Sequence, residues 1–306
     1  MNSKAIEVTD LRKHYGDVKA VDGISFFIKK GQVFTLLGPN GAGKTTTVEI
    51  LEGLKEADSG EISFFGELCM KIGSAEKQRL GVVLQHTNFI DKVKVKEMVE
   101  MFASFYRKSL PTQHILEQVA LTEKANAYVE HLSGGQRQRL SIGLALVNDP
   151  EIIFFDEPTT GLDPQARRSI WDLMEQLKHE GKTIFLTTHY MEEAERLSDY
   201  VYIMDHGKII DGGTPRELID KIGQESVIEF DASSLTKEQV AGLEGRYTKV
   251  AMTGTQLGIY VSDLSSAMMA LMDWTREQEL QLEGFSVRRP NLEDVFLNLT
   301  GKGLRD

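Results

Sequence analysis

The chain has 306 residues, of which 41% are hydrophobic and 26% are charged, the composition of an ordinary folded protein. A net charge of −11 and a pI of about 5.2 make its surface a poor overall match for nucleic acid or anionic lipid. The single cysteine, Cys69, excludes an intrachain disulfide and fits a reducing compartment. The sequence has no signal-peptide core and no apolar run approaching the ~18 residues of a membrane span. We therefore expect any membrane span to belong to another chain.

The N-terminal part of the chain predicts short strands separated by turns. The predicted strands cover residues 5–11, 24–28, 33–37, 61–66 and 80–85. The run VFTLL at 33–37 is apolar throughout, which is typical of a strand buried on both faces. It leads into a glycine-rich loop and then a predicted helix over 45–54.

The middle of the chain changes from strand to helix and back. Apolar residues at helical spacing over 93–106 and 114–121 predict a helical subdomain at about 86–145. Further strands are predicted at 151–155, 183–189 and 200–210, with a long helix over 164–181. This alternation of strands and helices predicts an α/β fold built on a parallel sheet.

Residues 222–306 predict a separate small α+β domain. A strand is expected at 226–231, and a hairpin over 247–262 is expected to turn at Gly254. A helix over 263–280, a strand at 285–289 and a helix over 291–301 follow. Asn291 and Asp294 have the spacing of a helix N-cap.

The first chemical motif is GPNGAGKTT at residues 38–46, which fits the pattern G-x-x-x-x-G-K-[ST]. It lies between a buried strand and a helix, the context that a phosphate-binding loop requires. Glycines let backbone N–H groups turn inward around a β-phosphate, and the helix N-terminus adds positive charge. Lys44 would bridge the β- and γ-phosphates, and Thr45 would bind Mg²⁺.

A second motif, IIFFDE at 152–157, ends an apolar strand in two carboxylates. Asp156 at the sheet edge could hold Mg²⁺ through water. Glu157 would then face the γ-phosphate and could orient or deprotonate a water molecule. Two solvated acids at a strand end are the alternative, and the nearby phosphate loop favours the functional interpretation.

A third motif, LSGGQRQRL at 132–140, is also glycine-rich and leads into a predicted helix. Ser133 and Gln136 have the spacing of a capping box, and the glycines between them leave N–H groups bare. The motif predicts a helix start that binds an anion, with a plain capped helix as the alternative. We expect the helix to bury Leu140, Leu144 and Val147.

Residues 4 to about 220 resemble the ATP-binding subunit of ABC transporters. The resemblance rests on motifs in the family's order: Tyr15 in RKHYG, GPNGAGKTT, Gln85 after LGVVL, LSGGQ, Asp156–Glu157, Asp163 in GLDP, and His189 in LTTHYMEEAE. It implies a P-loop ABC cassette over 1–221, with a mixed core sheet, an antiparallel β subdomain and the helical subdomain. Residues 222–306 would form an accessory or regulatory domain, for which a solvated appendage is the alternative.

The resemblance also assigns roles to single residues. Glu157 and His189 would be catalytic, and Asp163 would communicate between subunits. Taken alone, Tyr15 would be a surface tyrosine and His189 a structural histidine. The ATP-binding residues would be Tyr15, Gly38, Pro39, Asn40, Gly41, Ala42, Gly43, Lys44, Thr45, Thr46 and Gln85, with Mg²⁺ on Thr45, Gln85 and Asp156. A second subunit's ATP would be bound by Ser133, Gly134, Gly135 and Gln136.

The resemblance therefore implies an ATPase that uses ATP and Mg²⁺, forms a head-to-tail homodimer and drives a separate permease at the cytoplasmic face of the membrane. In PTTGLD, Thr160 and Gly161 stand where many members of the family have Ser and Ala. This segment resembles the branch that serves ABC-2-type permeases, including drug exporters. The ending NLEDVFLNLTG resembles it too. The alternatives are an importer ATPase or a soluble ABC ATPase acting on ribosomes or DNA. A single cassette, the absence of heptads and the acidic charge argue against the soluble class and predict no nucleic-acid partner.

Overall fold

The computed structural model describes residues 4–69, 71–85, 87–90, 92–223 and 226–300. Two compact units divide between Thr214 and Pro215. The strands of the first unit are β1 Lys4–Tyr15, β2 Val18–Lys29, β3 Val33–Leu37, β4 Ser59–Phe64, β5 Glu67–Leu68, β6 Leu80–Val83, β7 Ile152–Asp156, β8 Thr183–Thr188, β9 Tyr200–Asp205 and β10 Lys208–Gly213. Its helices are α1 Lys44–Leu51, α2 Ser74–Lys77, α3 Val95–Ala103, α4 Thr112–Gln118, α5 Gly134–Leu146, α6 Pro164–His179 and α7 Met191–Leu197.

The central sheet of the first unit has the strand order β10-β9-β3-β8-β7-β6. Strands β9, β3, β8, β7 and β6 are parallel, and β10 pairs with β9 antiparallel. Every residue of β3, β7 and β8 is buried, which explains why these strands are continuous apolar or threonine-rich runs. Because parallel strands end at one edge, the loops after β3, β6, β7 and β8 meet there.

A second sheet, antiparallel with the order β2-β1-β4-β5, packs on the central one. Phe26 of β2 stacks on Phe34 of β3, with ring centroids 5.2 Å apart. The α/β cassette with a mixed core sheet and an antiparallel β sheet is therefore confirmed. The predicted strand at 200–210 is instead the β9–β10 hairpin, since His206 and Gly207 have φ values of 44° and 76°, as a two-residue hairpin turn requires.

The predicted helical segment contains α3, α4 and α5 with two short 3-10 helices, Thr122–Lys124 and Val129–His131. Their apolar residues pack with one side of the central sheet. Leu140, Leu144 and Val147 are buried, as predicted. No helix among the described residues is both long enough and apolar enough to span a bilayer.

The second unit is an antiparallel sheet, β12-β13-β11-β14, packed with helices. Its elements are α8 Pro215–Asp220, β11 Ser226–Asp231, α9 Lys237–Arg246, β12 Val250–Thr253, β13 Gln256–Val261, α10 Leu264–Glu277, β14 Glu283–Arg288 and α11 Leu292–Thr300. The β12–β13 hairpin turns at Gly254, as predicted. Asn291 Oδ1 accepts hydrogen bonds from the N–H groups of Glu293 and Asp294, so it caps α11.

The division between the units comes seven residues before the predicted boundary at 221/222. Helix α8 packs against α11 and therefore belongs to the second unit. Nothing in the short segment PRELID, residues 215–220, signals this packing in the sequence.

Candidate active site

In the loop between β3 and α1, residues 38–43, a side chain on Gly38 or Gly43 would collide with neighbouring backbone. Gly43 caps α1 with φ 103°. A Cβ on it would lie 2.0 Å from the carbonyl oxygen of Ala20 in β2. A Cβ on Gly38 would lie 2.1 Å from the carbonyl oxygen of Met204 in β9. The loop therefore lies between neighbouring backbone segments, and the backbone conformations of its glycines set the direction of its N–H groups.

Lys44 begins α1 and is only 4% exposed. Its Nζ donates to the carbonyl oxygens of Gly38, at 2.8 Å, and Pro39, at 3.0 Å. The same Nζ lies 3.2 Å from Glu157 Oε1. Burial lowers the pKa of Lys44, and the charge of Glu157 opposes that shift. The ammonium group is thus buried at the base of the loop, where a phosphate could replace these acceptors.

Asp156 ends β7 beside the start of α1. Its Oδ1 accepts hydrogen bonds from Thr187 Oγ1, at 2.5 Å, and from Thr45 Oγ1, at 3.4 Å. Burial raises the pKa of Asp156, and the hydrogen bond from Thr187 opposes the rise. A hydroxyl and a carboxylate side by side are oxygen donors of the kind that Mg²⁺ takes from protein when phosphates and water complete its shell.

No cluster of three or more His, Cys, Asp or Glu side chains that could hold a metal occurs among the described residues. The Thr45 hydroxyl and the Asp156 carboxylate are oxygen donors that suit the predicted ion.

Glu157 follows Asp156 and is 7% exposed. Its Oε2 is 3.2 Å from Gln85 Nε2, 3.3 Å from Thr160 Oγ1 and 3.1 Å from His189 Nδ1. The backbone of Glu157 has φ 47°, uncommon for a non-glycine residue and a form of strain that concentrates at functional sites. The segments after β3, β6 and β8 thus bring Lys44, Gln85 and His189 to the carboxylate of Glu157, which follows β7.

A cleft of about 970 Å³, here called the nucleotide cleft, opens over these residues. Tyr15 lies on its rim and is 44% exposed. The Lys13 and Lys55 ammonium groups lie 5.7 and 5.4 Å from the centre of the Tyr15 ring. The predicted residues that line the cleft are Tyr15, Asn40, Gly41, Gly43, Lys44, Thr45, Thr46, Gln85, Glu157 and His189.

Sequence reasoning missed other residues that line this cleft. Among them are Lys19 in β2, Thr160 after β7 and His206 at the tip of the β9–β10 hairpin. Lys19 lies four residues after Tyr15, a proximity that could have signalled it. His206 reaches the cleft only because the hairpin folds beside the loop, where Gly207 N–H donates to the carbonyl of Ala42 at 2.9 Å.

The third motif lies elsewhere: within the described part of the chain, residues 133–136 do not line the nucleotide cleft. The predicted capping box at the start of α5 is present. Ser133 N–H donates to Gln136 Oε1 at 3.0 Å, and Gln136 N–H donates to Ser133 Oγ at 3.3 Å. No atom lies within 4 Å of where a Cβ on Gly134 would stand, so that side of the helix start is open.

Asp163 caps the neighbouring helix, α6, by accepting a hydrogen bond from Ala166 N–H at 2.8 Å. A Cβ on Gly135 would lie 2.9 Å from the Ala166 Cβ, so the starts of α5 and α6 are packed together. Asp163 and the third motif thus share one surface outside the nucleotide cleft.

Glu193 of α7 has a buried carboxyl group that sequence analysis did not predict. Its hydrogen bonds hold the loop that follows Glu157. Glu193 Oε1 accepts hydrogen bonds from Thr159 Oγ1, at 2.9 Å, and from Trp171 Nε1, at 2.8 Å. Burial raises the pKa of Glu193, and its hydrogen bonds oppose the rise. This network joins the segment after Glu157 to the helix that follows His189.

Comparison with known proteins identifies the family. The family model described as ABC transporter matches residues 21–160. A Nod factor export ATP-binding protein I from Ralstonia nicotianae is 41% identical over 98% of this chain and 95% of its own length. One from Burkholderia orbicola is 40% identical over the full length of both chains. The chain belongs to the ABC transporter family.

Solved structures agree with this assignment. A dimeric ATP-binding cassette in a post-hydrolysis state, bound to ADP and Pi, superimposes with a TM-score of 0.62 at 27% identity, covering 68% of this chain and 98% of that one. A nucleotide-free ATP-binding cassette superimposes with a TM-score of 0.65 at 26% identity, covering 72% and 94%. This ABC protein is accordingly an ATP-binding subunit and an ATPase.

Proposed function

We propose that this ABC ATPase powers a separate ABC-2-type membrane permease that exports its substrate. The names of its full-length relatives describe export ATP-binding proteins, and the similarity covers both units of the chain. It would act as a homodimer at the cytoplasmic face of the membrane, held there through the permease. The net charge of −11 argues against a nucleic-acid partner.

The observation that carries the proposal is the position of the Glu157 carboxylate. It is buried, faces the nucleotide cleft, and has Lys44, Gln85 and His189 around it. In that position Glu157 would accept a proton from the attacking water, while His189 would hold the carboxylate and contact the γ-phosphate. Lys44 would leave the loop carbonyls to bind the β- and γ-phosphates.

Mg²⁺ would be held by Thr45 and Asp156, and when bound it would neutralise charge on the phosphates. Gln85 donates to Glu157 and could turn toward the ion. Tyr15 on the cleft rim would stack on adenine. The amides of residues 38–46 would enclose the β-phosphate through the positive start of α1.

The third motif would serve the second subunit. Ser133, Gly134, Gly135 and Gln136 lie outside this chain's cleft and form an open helix start that suits an anion. In a head-to-tail dimer they would close on the partner's γ-phosphate, with Asp163 beside them at the joint. ATP would then be part of the interface.

The test is Glu157→Gln, which keeps the shape of the side chain and removes its basicity. We expect ATP turnover to fall by roughly 10²- to 10⁴-fold, with ATP-bound dimers retained in size-exclusion chromatography. The control is Glu151→Gln, immediately before β7, where Glu151 pairs with Arg79 on the surface at 2.6 Å. Near-normal turnover in Glu157→Gln would refute the assignment of the base. Wild-type chain that is not stimulated by its permease would refute the transport function.

A further inference from the structure

The backbone that carries the Glu157 carboxylate is strained and therefore needs support on both sides. Glu157 has φ 47°, a conformation that persists only where the surrounding structure holds it. On the side of β7 and β8, the Glu157 N–H donates to the carbonyl oxygen and to the hydroxyl of Thr187, both at 3.1 Å. On the other side the chain enters a tight turn, since the Thr160 N–H donates to the Glu157 carbonyl at 3.2 Å. The turn needs an anchor of its own.

The Thr159 side chain anchors this turn. Thr159 is fully buried, and its hydroxyl donates to Glu193 Oε1 at 2.9 Å. Glu193 is also fully buried and lies in α7, which begins two residues after His189. One carboxyl group therefore ties the turn after Glu157 to the segment that carries His189. At the surface of the nucleotide cleft these same two segments meet again, where Glu157 Oε2 lies 3.1 Å from His189 Nδ1.

A second donor, on α6, fixes the Glu193 carboxyl in place. Trp171 Nε1 donates to the same oxygen, Glu193 Oε1, at 2.8 Å. Because the two donors come from different elements, the carboxyl is held between α6 and the turn after Glu157. Both hydrogen bonds end on one oxygen, which the amide of a glutamine could also supply. The arrangement therefore depends on an acceptor at this point more than on a negative charge.

We propose that Glu193 is a positioning residue for ATP hydrolysis, which acts through Thr159 to hold the Glu157 carboxylate in place beside His189. This inference rests on the proposed function, since it takes Glu157 as the base. Among the described residues that line the nucleotide cleft, neither Thr159 nor Glu193 occurs, so neither would touch ATP. Their effect is on the geometry of the base, and a misplacement of about 1 Å at a reacting group can lower a rate by about 100-fold.

The test removes the hydrogen bond at Thr159 in the full chain and measures the kinetics of ATP hydrolysis. Thr159→Val keeps the shape of the side chain and loses the hydroxyl. We expect kcat to fall by roughly 10- to 100-fold, with KM for ATP within about twofold of the wild-type value, because the base is displaced and the groups that bind ATP are not. Thr159→Ser, which keeps the hydroxyl, should restore kcat to near the wild-type value.

Trp171→Phe is the matched control for loss of a buried hydrogen bond. It removes the other bond to Glu193 Oε1 and leaves the turn after Glu157 attached. Urea unfolding should show a loss of stability in both Trp171→Phe and Thr159→Val, but kcat should stay near the wild-type value in Trp171→Phe. At Glu193 itself, Glu193→Gln should keep kcat because its amide oxygen can accept both bonds, whereas Glu193→Met should lose kcat as Thr159→Val does.

Three results would overturn the inference. The first is a wild-type kcat in Thr159→Val. The second is an equal fall of kcat in Trp171→Phe and Thr159→Val, which would make the network a matter of stability alone. The third is an equal loss of kcat in Glu193→Gln and Glu193→Met. Near-normal turnover in Glu157→Gln, measured in the same assay, would instead overturn the proposed role of the base.

Discussion

Gly43→Ala is the substitution for which the structure gives the clearest magnitude. Gly43 has φ 103°, where an L-residue costs about 1–2 kcal/mol even without contacts. Its new Cβ would also stand 2.0 Å from the Ala20 carbonyl oxygen and 2.7 Å from Met204 Cε. The oxygen belongs to the paired strand β2 and must move by more than 1 Å, which adds about 1–3 kcal/mol of overpacking. The expected loss in the free energy of unfolding is therefore about 2–5 kcal/mol.

Gly41→Ala is the matched control in the same loop. Gly41 has φ 81°, and no atom lies within 4 Å of the position its Cβ would take. It should lose only the conformational term of about 1–2 kcal/mol. Urea unfolding of both variants without nucleotide gives the comparison, with ATP binding measured separately. Equal losses in the two variants would show that the contact with β2 does not constrain the loop.

The remaining predictions concern the dimer, the buried carboxyl and the second unit. Ser133→Arg should abolish hydrolysis and leave ATP binding by the monomer nearly intact. Ser133→Thr, which keeps the helix cap, should retain activity. If Ser133→Arg lost ATP binding by the monomer, the motif would bind the nucleotide of its own subunit. Glu52, at the end of α1, is 3% exposed, and burial raises its pKa in the folded chain to about 8. Folding therefore takes up a proton between about pH 4.5 and 8. The contribution of Glu52 to stability is present at low pH and is lost as the pH rises through this range, by up to about 1.4 kcal/mol per pH unit. In urea titrations, the fall in stability over this pH range should be smaller for Glu52→Gln than for wild type, and an equal fall would contradict the burial argument. Truncation after Thr214 should leave ATP binding intact and weaken dimer or permease association; unchanged basal ATPase activity and unchanged association would assign no role to the second unit.

The main part of the fold and much of the cleft could be predicted because the motifs follow directly after the buried strands in the sequence. Once VFTLL and IIFFD are recognised as buried parallel strands, Lys44 and Glu157 are expected at the same edge of the sheet, where the strands have their carboxyl ends. The capping box at residues 133–136 was predictable for a different reason, since its bonds are local.

The features that escaped prediction depend on tertiary contacts without a local signal. His206 lines the cleft because its hairpin folds against the phosphate loop, and Glu52, at the end of α1, is buried by tertiary packing. Glu193 is one acid in the acidic run MEEAE, and only packing shows that it is buried while Glu192 is exposed. The second unit begins at Pro215 because α8 packs on α11.

The β9–β10 hairpin has a practical consequence for anyone who wishes to label or extend this protein. His206 at its tip is almost fully exposed, which makes the turn look like a permissive site for a fluorophore or an inserted tag. Yet Gly207 is hydrogen-bonded on both sides, through its N–H to the Ala42 carbonyl and through its carbonyl to Asp22 N–H. An insertion there would pull on the phosphate loop. The turn at Gly254, where no atom lies within 4 Å of an added Cβ, offers a reporter site in the other unit, away from that loop in the chain.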